Sequence, residues 1–245
     1  MTTQPGRDFW ARLLVATAVA VLAIAPFARA QHAATPGHGA PSVSADQALE
    51  QLMAGNARFV AHAPQHPNQS AARVHELAGG QHPIAVVLSC ADSRVGPELV
   101  FDQGLGDLFV VRVAGNIADD ATIGSIEYAV EHLGAPLIVV MGHQKCGAVT
   151  AAMNGGESGN HIHAVVDPIL PVVAEARKSA ADPLDAAIRL NVNRVVDQLE
   201  HTTPILAAKV GDRTLRIVGA YYSLEDGQVT LLTGAPAKHS EAAKP

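Results

Sequence analysis

Apolar and polar positions along this chain follow two alternating rhythms. Ile84 to Ser89, Leu108 to Val113 and Leu137 to Met141 are short, mainly apolar runs rich in β-branched residues, as expected of strands covered on both faces. Between the last two, Ile123, Ile126, Val130 and Leu133 recur on one helical face, and Gly134 with Pro136 stops that helix. A helix should follow Cys146, run to about Asn154 and end at Gly155-Gly156. Asp182 and Pro183 supply an N-cap and a first-turn proline for another helix, with Leu184, Ile188, Val192, Val195 and Leu199 inward. Arg213 to Ala220 and Gln228 to Leu232 read as the last strands, joined through a turn around Glu225-Asp226-Gly227. Ahead of all these, Ser44 can cap a helix while Gln47 reaches back in a capping box. Leu49, Leu52, Met53, Phe59 and Val60 then form one stripe. Ser70 to Leu77 is a weaker second helix, closed by Gly79-Gly80. Strand and helix in alternation predict an α/β fold: a mainly parallel central sheet flanked by helices, with an N-terminal helical arm.

The first thirty residues are set apart from that pattern. Arg7 and Arg12 precede an apolar run from Leu13 to Ala25, and Ala28-Arg29-Ala30 places small residues where a signal peptidase reads. Residues 1–30 therefore read as a secretory signal cut after Ala30, which implies a periplasmic or secreted protein. An uncleaved anchor is the alternative. The apolar run is short for a span of about 20 residues, and no basic stop-transfer cluster follows it. Residues 31–43, rich in Ala, Gly, Pro and His, read as a flexible leader, and residues 44–245 as a single domain. Taking Arg7, Arg12, Arg29 and Asp8 from 17 basic and 23 acidic residues leaves 14 and 22, a formal charge of −8. That balance disfavours a nucleic-acid partner, which needs a clustered basic face. No membrane association is expected of the mature form.

The chain has two cysteines, and each stands in a polar cluster after an apolar run: Cys90-Ala91-Asp92-Ser93-Arg94, and His143-Gln144-Lys145-Cys146. Two thiolates and an imidazole are three donors of the kind zinc prefers, and three protein ligands leave a fourth position for water. An exported chain with two cysteines could instead hold one disulfide. The flanking Asp92, Arg94 and His143 favour the metal, because a structural disulfide has no use for them. Cys90 should lie just past the end of the first strand and His143 just past the third, where ligands collect in open α/β sheets. Cys146 opens a helix, whose free N–H groups favour a thiolate.

On these residues the chain resembles the β-class carbonic anhydrases. The resemblance runs from Gly55-Asn56-Ala57-Arg58-Phe59 to Gly219-Ala220-Tyr221-Tyr222. Its most specific parts are Cys90-Ala91-Asp92-Ser93-Arg94, Arg112-Val113-Ala114-Gly115-Asn116 and Gly142-His143-Gln144-Lys145-Cys146-Gly147. It implies Cys90, His143 and Cys146 as ligands of one Zn2+ per chain, and Asp92 with Arg94 as a catalytic dyad. Gln81 and Gly147 would lie near the substrate, with Phe109 and Tyr128 lining an apolar pocket at a dimer interface. The implied activity is reversible hydration of carbon dioxide to bicarbonate and a proton by a zinc-bound hydroxide, in a homodimer or homotetramer. In this family the aspartate can also swing onto zinc and close the site. One subgroup stabilises that state with bicarbonate beside a tryptophan three residues before the first ligand cysteine. Here that position is Val87, and the only tryptophan is Trp10, so an open, water-bound site is expected near neutral pH.

Other readings stay open on sequence alone. Related folds with the same ligands hydrolyse carbonyl sulfide or carbon disulfide. A redox-active Cys90–Cys146 pair, or a periplasmic zinc-binding protein, would need no carbon dioxide chemistry. For proton removal, His82, His161 and His163 are candidates, and His32 with His38 could bind metal weakly.

Overall fold

The computed structural model describes residues 43–156, 159–179 and 181–234. The signal-peptide reading and all of the leader except Val43 lie outside them. Helix α1 (Ala45–Val60) starts where its capping box predicts: the Ser44 hydroxyl accepts from the Gln47 N–H, and the Gln47 side chain accepts from the Ser44 N–H. Helix α2 (Ala71–Leu77) starts at a Ser70 cap. Strand β1 (Ala85–Ser89), helix α3 (Pro97–Val100), strand β2 (Leu108–Arg112), helix α4 (Asp120–His132) and strand β3 (Leu137–His143) follow. Then come α5 (Gly147–Met153), α6 (His163–Val166), α7 (Leu170–Ser179), α8 (Pro183–Glu200) and α9 (Ile205–Gly211), before β4 (Arg216–Tyr222) and β5 (Val229–Leu231). None of the helices among these residues is long and apolar enough to cross a membrane.

The sheet order is β2-β1-β3-β4-β5. The first four strands are parallel, and β5 returns antiparallel to β4. Strand alternation divides the core between the two faces. Val87, Leu137, Val139 and Met141 pack with Leu49 and Leu52 of α1. Val86, Leu88, Ile138 and Val140 pack with Ile126 and Val130 of α4 and with Val192, Val195 and Leu199 of α8. Every residue of β1 and β3 is buried, as their unbroken apolar runs require. β2 differs from expectation. It is an edge strand whose residues are half-buried, with Arg112 exposed, so among the described residues one edge of the sheet is open.

The helical arm is fastened to the sheet by buried polar groups. Asn56 donates to the carbonyls of Val100 and Gly227 and accepts from the Val229 N–H, joining α1 to α3 and to the β4–β5 turn. Gly55 lets this happen: a Cβ there would lie 1.8 Å from the Phe101 carbonyl oxygen. Asp102, with its side chain 1 % exposed, accepts from Arg58 Nε at 2.6 Å and from the N–H groups of Gln65 and His66. Burial pushes this carboxyl up, but the donors outweigh it and hold its pKa below the ordinary value. A depressed folded pKa contributes stability above the unfolded value of about 4, lost as pH falls through the folded one. Asp102→Ala is therefore expected to lower the unfolding free energy by about 3 kcal/mol at pH 7, with the gap narrowing in acid. Urea unfolding at both pH values measures it, and equal stability at pH 7 would show that this ion pair holds nothing in place.

Candidate active site

The sheet topology creates the site. The chain leaves β1 towards β2 on one side, while β3 lies on the other, so the carboxyl ends of β1 and β3 flank a topological switch point. Crevices that take ligands open at such points. Ser89 is paired with Met141 there. Cys90 therefore emerges beside the end of β3, where His143 is the last strand residue rather than the first beyond it. A tight turn with Lys145 at φ 54 then brings Cys146 to the N-cap of α5.

The donor atoms of Cys90, His143 and Cys146 lie within 4.8 Å of one another, and all three residues are buried. The two sulfurs are 4.0 Å apart. The His143 Nδ1 lies 2.9 Å from the Gln144 carbonyl, which accepts only if that nitrogen carries the proton. That fixes the tautomer and leaves the Nε2 lone pair free. Nε2 is buried and has no hydrogen-bond partner among the described residues. Gly115 donates to the Cys90 sulfur at 3.3 Å, and the amides of Val149 and Ala148 in the first turn of α5 pull the Cys146 thiol down without forming a capping hydrogen bond. The two thiols titrate as a pair. The hydrogen bond from Cys146 draws the Cys90 thiol down against burial, and the same contact holds the Cys146 proton up. Two thiolates this close repel each other, and a dication between them relieves that repulsion.

Asp92 stands beside the cluster, its Oδ2 3.9 Å from His143 Nε2. Arg94 grips the carboxylate in a fork, Nε to Oδ1 at 2.9 Å and Nη2 to Oδ2 at 2.7 Å, while its N–H also donates to Oδ1 at 3.0 Å. That fork, opposed by burial, holds the Asp92 carboxyl well below the usual carboxylate range.

The carbonic anhydrase family model matches residues 85–229, which include every residue of this cluster. The chain is 44% identical to carbonic anhydrase 2 of Mycobacterium tuberculosis over 195 residues, 78% of this chain and 94% of that protein. It is 43% identical to a carbonic anhydrase of Mycolicibacterium smegmatis, over 78% of this chain and 95% of the relative. Among solved structures it is similar to a tetrameric β-carbonic anhydrase of the ascomycete Sordaria macrospora. The TM-score is 0.61 at 29% identity, covering 77% of this chain and 96% of that one. The chain belongs to the β-class carbonic anhydrases.

The enzymes of this class are zinc enzymes, and the site fits that ion. Tetrahedral zinc with sulfur arms of about 2.3 Å needs its two sulfurs roughly 3.8 Å apart, close to the 4.0 Å found. The free, buried Nε2 of His143 supplies the third donor.

One chain brings together only part of the residues that the β-class resemblance implies. Asp92 and Arg94 join the Cys90–His143–Cys146 cluster, and Gly147 is the first residue of α5, directly after Cys146. Gln81 instead is exposed and lines a separate cavity of about 690 Å³ with Val74, Leu77 and Leu105. Phe109 and Tyr128 form an aromatic pair with ring centroids 6.5 Å apart, beside the open edge of β2. Tyr128 is 52% exposed. His82, His161 and His163 are all exposed.

Two further residues shape the site that motif reading left without a role. Arg112 donates from Nε to the Cys90 carbonyl and from Nη2 to the Asp92 carbonyl, clamping the ligand loop across β1 and β2. Gln144 ties the end of β3 to the β4–β5 turn, donating to Glu225 and accepting from the Leu224 N–H. A charged residue closing an apolar strand was the visible signal for Arg112. Gln144 offers none.

Proposed function

We propose that this enzyme hydrates carbon dioxide with a hydroxide nucleophile that Asp92 orients, and that its site rests open near neutral pH. Cys90, His143 and Cys146 hold the zinc. When bound, the ion lowers the pKa of a water so that hydroxide is available near neutral pH. Two thiolates cancel the dication's formal charge, so the ligands alone acidify water less than three neutral imidazoles would. Asp92 compensates. Its carboxylate, fixed in the ionised form by the Arg94 fork, accepts the hydroxide's hydrogen bond and aims a lone pair at the carbon of carbon dioxide. The observation that carries this reading is the Asp92 carboxylate, turned onto Arg94 yet 3.9 Å from the ligand nitrogen of His143. Stopped-flow carbon dioxide hydration tests the activity, with carbonyl sulfide and carbon disulfide as competing substrates. Faster sulfide release than hydration would reassign the substrate.

The open site is supported by the same carboxylate–guanidinium fork and by Val87, a buried valine where a bicarbonate-stabilised closed form has tryptophan. A crystal structure at pH 7.5 is expected to show three protein ligands, with Asp92 on Arg94. Asp92 coordinated to the metal at that pH would overturn this. The open β2 edge, the exposed Tyr128 and the distant Gln81 support assembly as a homodimer or a homotetramer, which sedimentation equilibrium would measure. Export is proposed on the N-terminal pattern alone: a 1–30 signal and a 31–43 leader ahead of a single 44–245 domain. Sequencing the mature N-terminus should read from Gln31.

A further inference from the structure

The Gly115 N–H that reaches the Cys90 sulfur does not aim itself. Gly115 has φ 73, and a Cβ there would lie 2.6 Å from Ile169 Cδ1 and 3.1 Å from the Ala148 Cβ. Only glycine therefore turns the chain at this point. A glycine turn is also free to rotate unless the peptide that follows it is held. That peptide is held at both ends. The Asn116 N–H donates to the Val113 carbonyl at 2.9 Å. The Gly115 carbonyl accepts from Asn191 Nδ2 at 2.8 Å. Asn191 comes from the middle of α8 and is 1% exposed, on the helix face that also buries Ile188, Val192 and Val195. Its Oδ1 meets no protein donor among the described residues. The amide leaves its own oxygen without a donor, so what its burial secures is the Gly115 carbonyl, which an apolar side chain at position 191 would leave unpaired.

We infer that Asn191 is a positioning residue for the metal centre: it locks the Gly115–Asn116 peptide so that the Gly115 N–H points at the Cys90 sulfur. The inference rests on the zinc-site reading above. An N–H donated to a ligating thiolate draws electron density from the sulfur, and such outer contacts tune both affinity and ligand strength. The coupling runs from α8 through one carbonyl and one N–H to a ligand some hundred residues earlier in the chain.

The test replaces Asn191 with leucine, of the same branched shape though larger, and with alanine in case leucine overpacks. Gln198→Leu is the control. Gln198 lies on the same helix and donates to the Ala118 carbonyl at 2.8 Å, holding the same segment beyond the turn. Zinc affinity is measured by chelator competition, and the cobalt(II)-substituted protein by its thiolate-to-metal charge-transfer band. The Asn191 variants are expected to bind zinc roughly 10-fold more weakly. Their charge-transfer band should move to longer wavelength, because a thiolate relieved of its N–H gives up electrons more easily. Gln198→Leu is expected to lower the melting temperature without moving the band. An unmoved band and affinity within twofold of wild type in the Asn191 variants would overturn the inference, as would the same shift in Gln198→Leu. Failure of the wild type to bind one metal per chain would instead overturn the site reading beneath it.

Discussion

Asp92→Asn is expected to retain one zinc per chain and to lose carbon dioxide hydration by on the order of 100-fold or more. The substitution keeps size and shape, so the neighbouring ligands should stay where they are. What changes is hydrogen-bond polarity. The carboxylate offers acceptors only, and the Arg94 fork occupies one side of it through both oxygens. The remaining lone pairs face the position beside His143 Nε2. An asparagine amide offers one acceptor and two donors. Arg94 would take the acceptor, leaving the amide NH2 turned towards the nucleophile, where it competes for the lone pair that must attack carbon. The hydroxide then loses the acceptor that fixes its orientation. Metal analysis with stopped-flow rates separates this from a folding defect. Zinc-replete Asp92→Asn with wild-type activity would eliminate the dyad.

How much of this was legible in the chain depends on what each residue touches. Continuous apolar runs located β1 and β3, because strands buried on both faces leave no polar positions to blur the pattern. The same logic misread β2. Its run from Leu108 is equally apolar, yet within one chain it is half-buried at the sheet edge. A strand covered on both faces and one half-buried at a sheet edge carry the same composition. The capping box at Ser44 and the Asp182–Pro183 start were readable because caps are local chemistry. Helices α3, α6 and α9 were not. Each is four or seven residues long, too short to show a period, and such segments are helical chiefly because of what they dock against. α7 was masked by Pro168 and Pro171, which look like breakers but stand at or just before its first turn.

The site divides along the same line. The side chains proposed to act directly, the ligands with Asp92 and Arg94, stood out as polar clusters at the ends of apolar runs. Arg112, Gln144 and Asn191 act on backbone carbonyls and N–H groups. A backbone partner has no letter in the sequence, so these roles appear only when the strands are side by side.

Cys146→Ser is expected to lose its zinc to a competing chelator that leaves wild type loaded, and turnover with it. Serine preserves the hydrogen-bonding shape at the α5 N-cap but is not ionised near neutral pH, so it offers zinc a neutral oxygen in place of a thiolate. If about 10–16 kcal/mol of zinc binding is shared over four ligands, one of them is worth roughly 3 kcal/mol, a factor of about 100 or more in affinity. The loss also removes the reason for zinc to stay. Cys90 alone, with the buried His143 Nε2, makes two donors where the enclosed site provides for three. In wild type, adding zinc to stripped protein should raise the melting temperature, since the ion binds the assembled site of the folded state more tightly than the unfolded chain. In Cys146→Ser that rise should shrink by the equivalent of about 3 kcal/mol, while the metal-free melting temperature stays close to wild type. Asp92→Asn, by contrast, should keep the full zinc-dependent rise. The pair of variants thereby separates holding the ion from orienting the nucleophile: one loses the metal and therefore the rate, the other loses the rate alone. A Cys146→Ser protein that kept one zinc per chain through dialysis and hydrated carbon dioxide at the wild-type rate would move the metal centre elsewhere in the chain.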